Sequence, residues 1–553
     1  MVALSYAAGP SDRPLLGCTI GDQLDRTAQE HPSTDAIVSL HQGVRRTYAE
    51  LRVDVDRVGR SLLALGTRAG DRVGIWSPNR YEWAVVQYAT AKVGAILVNV
   101  NPAYRSHELE HALRSVGVST VVAARGFHEA DYVATIDGVR SGLPALRTVV
   151  FLDEEPTPRW AITWSELLTR SEEVTVEALE ERGRALDPDD PINIQFTSGT
   201  TGLPKAATLN HHNVLNDGAL VGARLGYSTV DRVCMPVPFY HCFGMVLGNL
   251  ACLAHAATVV LPAESFDARA CLEAIDRERC TSVYGVPTMF IAMLEEPGFD
   301  RFDLTSLRTG VMAGAPCPVE VMRQVIDRMH AREMTICYGM TETSPVSFQT
   351  CRDDDLERRV STVGNVHPWV EAKVIDPTTG RTVPRGAAGE LCVRGYLVMR
   401  GYWGDPEATH EAIDGAGWMH SGDLASMRDD GAVEIVGRLK DMIIRGGENV
   451  SPREVEEFLF TNPKIADVQV VGVPDARYGE AVCAWVMLHP RQTATEDEIR
   501  DFCRGKIATY KIPRYVRFTD AFPMTVTGKI QKYRMREISI EELGLGAPLA
   551  ETA

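Results

Sequence analysis

The sequence predicts an α/β protein: a large N-terminal body of helix-covered, parallel-type sheets with a β-rich subdomain, followed by a small C-terminal α+β domain. Three observations predict it. Helical and extended patterns alternate through the first part of the chain, shorter strands take over from about Glu371, and the texture changes again after Gly437. At 553 residues the chain is also too long for one compact core. The boundaries drawn from these shifts are 1–436 for the body, 437–441 for a connecting segment and 442–553 for the small domain.

Each element has a local reason. Thr47-Tyr-Ala-Glu50 is a capping box, and Leu51, Val55, Val58, Leu62 and Leu65 follow at helical spacing until Gly66. Asp71–Trp76 reads as a strand, Tyr81–Val93 as a helix and Ile96–Val100 as a strand. Glu108–Val116 and Ser119–Ala123 repeat the rhythm. It recurs in strands at Thr281–Tyr284, Leu307–Met312 and Met334–Tyr338, with helices at Pro287–Glu295 and Val319–Arg332. Short strands at Glu371–Ile375, Gly389–Val393 and Ala432–Val436 form the β-rich part. Ser451-Pro-Arg-Glu454 reads as a second capping box with proline at the first helical position. Strands at Ile465–Val473 and Ala481–Leu488 follow, then a helix opened by Thr495-Glu-Asp-Glu498.

Composition narrows the function classes. An apolar fraction of 45% and a charged fraction of 24% argue against disorder. The net charge of −17 repels nucleic acid but not small anions, which helix ends and loops bind locally. Twelve cysteines with no CxxC pair exclude a disulfide scaffold and a zinc finger. Residues 1–14 lack the basic-then-apolar pattern of a signal peptide. Met245–Leu261 carries no charge, yet it is short and holds Asn249 and His255, so it reads as a buried helix running into a strand at Thr258–Leu261. The expectation is a soluble, cytoplasmic protein without a membrane span.

The most informative stretch is Phe196-Thr-Ser-Gly-Thr-Thr-Gly-Leu-Pro-Lys205. Gly199 and Gly202 let backbone N–H groups approach phosphate oxygens. The hydroxyls of Thr197, Ser198, Thr200 and Thr201 add donors, and Lys205 supplies a point charge. The spacing is not that of the GxxxxGK[ST] loop. Further along stand Tyr338-Gly-Met-Thr-Glu342, Ser421-Gly-Asp423, Gly437-Arg-Leu-Lys440 and Thr527-Gly-Lys529.

These five motifs, in this order, resemble the adenylate-forming superfamily of acyl-CoA synthetases, luciferases and amino-acid-adenylating domains, over roughly residues 20 to 537. Asn99-Val-Asn-Pro-Ala-Tyr104 and Met442-Ile-Ile-Arg-Gly-Gly-Glu-Asn449 resemble its medium-chain fatty-acid–CoA ligase branch. The resemblance implies ATP, Mg²⁺ and CoA. It implies that Glu342 holds the metal, that Thr341 donates to the α-phosphate, and that Tyr338 and Gly339 meet adenine opposite Gly314, Ala315 and Pro316. It implies Asp423 and Arg438 for the ribose, Lys440 as the hinge of a mobile lid, and Lys529 as the lysine bridging carboxylate and α-phosphate. Ile444, Arg445, Gly446, Gly447 and Glu448 become the loop presented for thioester formation. Read without the resemblance, Asp423 is a turn former and Lys529 a solvated surface charge.

Substrate choice is expected in Pro238–Met245, Val311–Ala315 and Cys337–Ser344. No carboxylate occurs from Pro236 to Leu261, so a free amino acid's ammonium would be left unpaired. His241 resembles the gate beside the reactive carboxylate; its alternative is a satisfied core histidine. Phe239, Tyr240, Phe243, Met245 and Met312 offer an apolar lining for an alkyl or aryl tail. The reaction implied is acyl-AMP formation with release of pyrophosphate, then transfer to CoA. Transfer to a separate acyl carrier protein and a non-catalytic nucleotide-binding regulator are the alternatives. The stretch after Lys529 is too short for a fused carrier domain. Oligomeric state stays open between monomer and homodimer.

Overall fold

The computed structural model describes residues 3–154, 157–197, 204–315, 317–445, 448–475, 477–524 and 530–545. Packing divides the chain into two compact units: Ala7–Ala372 with Val393–Met419, and Met1–Tyr6 with Lys373–Cys392 and His420–Ala553.

The larger unit holds two mixed sheets. In one, Ile162–Thr163, Thr148–Phe151, Val118–Ala123, Arg72–Trp76, Ile96–Asn99 and Pro191–Thr197 lie side by side in parallel. Lys205–Asn210 and then Gly401–Tyr402 extend it antiparallel. In the other, Glu333–Gly339, Thr309–Ala313, Ser282–Gly285, Arg232–Cys234, Thr258–Leu261 and Asp35–Ser39 are parallel. Antiparallel strands close both its edges, Val346–Gln349 with Asn365–Val366 at one and Val44–Thr47 at the other. Sheets covered on both faces need strands apolar on both faces, and Val118–Ala123 is buried along its whole length.

Local signals set the element boundaries. Thr47 caps the helix Tyr48–Ala64: its hydroxyl accepts the Glu50 N–H at 3.3 Å, and the Glu50 carboxylate accepts the Thr47 N–H at 2.8 Å. The helix expected to reach Arg332 stops at Arg328, because His330 turns the chain at φ 64°. Met245–Leu261 resolves into a π-helical turn at Met245–Leu250, a helix at Ala251–His255 and a strand at Thr258–Leu261. Among the described residues no helix is long and apolar enough to cross a membrane.

In the smaller unit, Ile465–Asp475 and Gly479–Leu488 form a long antiparallel pair with Tyr515–Phe518 alongside. One face packs Val468, Val470, Val482, Ala484 and Val486 with Val455 and Ile499; the other packs Val471, Val473, Cys483 and Trp485 with Met535. Strict alternation therefore fills a core on each side, each large apolar side chain contributing about 1.5–3 kcal/mol. Ser451 does not make the expected capping box. Its hydroxyl donates to the Val436 carbonyl at 2.6 Å, leaving no side-chain cap on Pro452–Phe460. Arg453 donates to the Ile435 carbonyl. These bonds tie the helix to the strand Val433–Arg438, so residues 437–441 lie inside one packed unit.

Candidate active site

The site of the larger unit forms where parallel strands end and antiparallel returns begin, the usual place for a ligand crevice in an open α/β sheet. Pro191–Thr197 and Lys205–Asn210 pair with Thr197 directly opposite Lys205. The Thr197 hydroxyl donates to the Lys205 carbonyl at 3.4 Å. Both ends of the hydroxyl- and glycine-rich loop are thereby fixed, while Ser198, Gly199, Thr200, Thr201 and Gly202 lie outside the described residues. The Lys205 ammonium sits 5.1 Å from the centroid of the Tyr402 ring.

Tyr338-Gly-Met-Thr-Glu342 leaves the second sheet through a bulge at Tyr338/Gly339, with Gly339 opposite Val346. A Cβ on Gly339 would stand 1.7 Å from the Pro345 carbonyl oxygen, so the glycine is required by close backbone approach. Ala313 pairs with Cys337, which makes Gly314 (φ 86°) and Ala315 leave the sheet beside the half-buried Tyr338. Pro316 lies outside the described residues. Glu342 falls in the 3₁₀ turn Thr341–Thr343 and is only 6% exposed. The Tyr402 hydroxyl donates to its Oε1 at 2.8 Å, and the Met399 N–H donates to its carbonyl at 2.9 Å.

Among the described residues no cation pairs with Glu342. A buried carboxylate held by one neutral donor suits a hard divalent cation, so the donor set fits Mg²⁺. Behind the motif, Asp217 accepts the Val346 N–H at 3.0 Å and the Tyr396 hydroxyl at 3.1 Å. Complete burial pushes its pKa well up.

His241 caps the turn Cys242–Gly244, its Nδ1 accepting the Phe243 N–H at 3.1 Å. The Cys242 sulfur lies 3.6 Å from that nitrogen and 3.8 Å from Thr341 Oγ1. The expected gate and the expected phosphate donor therefore meet through one thiol. Burial pushes the Cys242 pKa up to about 12, so it packs as a neutral thiol rather than serving as a nucleophile. Phe239 packs on Trp83 with ring centroids 5.4 Å apart, and Phe243 stacks on Tyr284 at 5.7 Å. The Tyr240 carbonyl accepts from Asn99 Nδ2 at 2.8 Å.

Two findings revise the apolar-lining expectation. Met312 faces away from Phe243 and Tyr284: Tyr284 is in register with Val311, while Met312 packs in the core with Phe290, Met322 and Ile336. Strand alternation puts Val311 and Ala313 on the Tyr284 side, so Met312 is not a lining residue. Met245 is also backed by amides. Asn99 Nδ2 and Gln195 Nε2 approach its sulfur at 3.6 and 4.0 Å, and Asn193 bridges the two amides. No local sequence signal announces that buried ladder, because its members come from two strands far apart in the chain.

In the smaller unit Asp423 stands in the strand Met419–Met427 and is 7% exposed, which rules out a simple turn former. Its carboxylate pairs with Arg438 Nε at 2.9 Å, its register partner on the next strand. The residue before it, Gly422, donates its N–H to Glu390 Oε1 at 3.2 Å, and Glu390 Oε2 meets His420 Nδ1 at 2.9 Å. Glu390, Cys392 and His420 bring ligand-type atoms within 4.8 Å of one another, but both Glu390 oxygens are engaged in holding the Ser421–Asp423 segment. Lys440 sits in the turn Leu439–Asp441, its pKa lowered by partial burial and by Arg438. Arg445 and Glu448 are register partners on antiparallel strands, and Gly446 and Gly447 lie outside the described residues. Arg445 donates to the Tyr510 carbonyl at 2.9 Å, whereas Ile444 is 57% exposed. Lys529 also lies outside the described residues.

Lys205 at the end of one sheet and the buried Glu342 carboxylate at the end of another, both touched by Tyr402, form an arrangement suited to a nucleotide-using enzyme. The sequence pattern of the AMP-binding enzyme family matches residues 24–403, and that of the AMP-binding enzyme C-terminal domain matches residues 454–529. The chain belongs to the AMP-binding enzyme family. It is 47% identical to the mitochondrial medium-chain acyl-CoA ligase ACSF2 of Danio rerio, over 98% of this chain and 91% of that protein. It is 45% identical to the putative acyl-CoA synthetase YngI of Bacillus subtilis (strain 168), over 96% and 99%. Among solved structures, the anthranilate CoA ligase AuaEII in complex with anthranoyl-AMP superposes with a TM-score of 0.86 at 26% identity, covering 96% of this chain and 99% of that one. ATP-bound MatB from Rhodopseudomonas palustris gives 0.83 at 28% identity, covering 94% and 99%.

Proposed function

We propose that the protein is an ATP-dependent acid–thiol ligase that converts a medium-chain fatty acid to its CoA thioester through an acyl-AMP. The observation that carries this is the contact chain His241–Cys242–Thr341. It joins the residue beside the acid's carboxylate to the donor for the α-phosphate, next to the buried Glu342.

In the first half-reaction a carboxylate oxygen attacks the α-phosphorus of ATP, and the bond to the bridging oxygen breaks, releasing pyrophosphate. Lys205 and the loop donors from Thr197 onward hold the departing phosphates, and Thr341 steadies the α-phosphate. Glu342 would hold Mg²⁺, which would supply charge neutralisation on the phosphate oxygens. Tyr338 and Gly339 with Gly314 and Ala315 hold adenine. Asp423 and Arg438 hold the ribose, and Lys529 stabilises the charge that builds during attack. In the second half-reaction the CoA sulfur attacks the acyl carbon, AMP leaves, and the thiol proton passes to solvent or to AMP. Lys440 is the hinge between the two steps, and the segment 444–448 is presented in the second.

Phe239, Tyr240, Phe243 and Met245 receive the acyl tail. The preference for a medium chain draws on the medium-chain acyl-CoA ligases among its relatives, and the cytoplasm is the compartment this reading assigns. The test is AMP formation with ATP across acids of graded chain length and aryl acids, with CoA or a phosphopantetheinylated carrier protein as acceptor. CoA-dependent AMP release that peaks with medium chains is expected. Release only with the carrier, or with none of the acids, would refute the reading.

A further inference from the structure

The two charged groups assigned to the triphosphate, Lys205 and Glu342, come from different sheets, and one side chain touches both. The Tyr402 hydroxyl donates to Glu342 Oε1 at 2.8 Å, and the face of its ring receives the Lys205 ammonium at 5.1 Å. Neither motif containing those charges includes Tyr402, which lies 60 residues beyond Glu342 in the chain.

The backbone holds Tyr402 from both sides. It pairs with Ala207 across the antiparallel edge, and the flanking Arg400 and Trp403 N–H groups donate to Thr208 and Ala206 at 2.9 and 2.8 Å. Its own N–H donates to Thr409 Oγ1 at 2.9 Å. Gly401 takes φ 134°, with the Thr409 side chain under 3 Å from where a Cβ would stand, so the approach is fixed from that side too.

We propose that Tyr402 is a positioning residue for the first half-reaction, a spacer that keeps the Lys205 ammonium and the Glu342 carboxylate apart and presents each to its own partner. A flexible lysine next to a buried carboxylate would otherwise pair with it, cancelling the charge meant for phosphate and the charge meant for the cation. The phenol occupies Oε1 without neutralising the carboxylate, which would hold Mg²⁺. The ring attracts the ammonium through its face and leaves the three N–H donors free. This rests on the ligase reading, in that Glu342 holds the cation and Lys205 the phosphates.

The test uses the full chain with Tyr402→Phe and Tyr402→Leu, and calorimetric ATP titrations in EDTA and in graded Mg²⁺, without acid so that no turnover occurs. Phe keeps the ring and loses only the hydroxyl. The expected result is unchanged metal-free ATP affinity and a half-saturating Mg²⁺ concentration raised about tenfold, equivalent to about 1.4 kcal/mol. Leu also frees Lys205, so its metal-free ATP affinity falls about fivefold or more. In a Glu342→Gln background, Tyr402→Phe should have no further effect on Mg²⁺ dependence. Circular dichroism and thermal midpoints confirm that the variants are folded. Native Mg²⁺ dependence in Tyr402→Phe, or equal losses in Phe and Leu, would overturn the proposal. If the native chain shows no metal-dependent ATP binding, the ligase reading fails first and the spacer role with it.

Discussion

Replacing Gly339 with alanine puts the assignment of the Tyr338–Glu342 turn under the most direct strain. The new Cβ would stand 1.7 Å from the Pro345 carbonyl oxygen, 2.8 Å from its carbon and 3.0 Å from the Ser347 nitrogen, all backbone atoms. Ordinary contact begins near 3.4 Å, so the two backbone segments must separate by more than an ångström. Overpacking of this kind costs about 1–3 kcal/mol or more. The movement is transmitted to Tyr338 on one side and to Thr341 and Glu342 on the other. Misplacing catalytic groups by about 1 Å costs roughly 100-fold in rate. ATP–pyrophosphate exchange with a fatty acid should therefore fall about 100-fold, and the thermal midpoint should drop. Gly138→Ala is the control: it lies in the helix Tyr132–Val139 with nothing within 4 Å of its Cβ position. It should leave exchange intact and stabilise by about 0.5–1 kcal/mol. Exchange in Gly339→Ala within about threefold of native, at an unchanged midpoint, would refute the close-approach argument.

Three further outcomes test other parts of the structure. Val311→Phe should shift the preferred acid to shorter chains by filling the side shared with Tyr284 and Phe243. Met312→Val should lower stability by about 1–2 kcal/mol and leave chain preference alone; a changed chain profile in Met312→Val would restore that residue to the lining. His211 Nδ1 accepts the Ile20 N–H at 3.2 Å, and burial pushes its pKa from 6.5 down to about 4. Between those values the unfolded chain binds more protons than the folded one. Stability from this group is therefore complete above about pH 6.5 and is lost as pH falls toward 4, by about 3 kcal/mol. Urea midpoints measured from pH 4 to 7 should flatten in His211→Asn, which keeps an acceptor for Ile20; an unchanged slope would exclude His211 as the titrating group.

Much of the architecture was legible because its causes are local. The Thr47–Glu50 box, the stop at Gly66 and the charge-free, β-branched-rich run of Val118–Ala123 each fix an element within a few residues of chain. Local causes also mislead when a side chain finds a distant partner. Ser451 has the sequence of a cap, yet its hydroxyl goes to Val436, fifteen positions back.

The site divides the same way. By itself the sequence determined which residue types the motifs bring together, because glycines, hydroxyls, Lys205 and Glu342 occur in short motifs whose spacing is covalent. The tertiary structure alone decided which way those residues face and what steadies them. Val311 rather than Met312 turns toward Tyr284, since the layers packed above and below a strand choose its inward side. Asp423 finds Arg438 through strand register, and Tyr402 reaches both Lys205 and Glu342 through the antiparallel edge of one sheet and the end of another. Contacts of that kind depend on sheet pairing and packing between segments far apart in the chain, and no short stretch of sequence carries them.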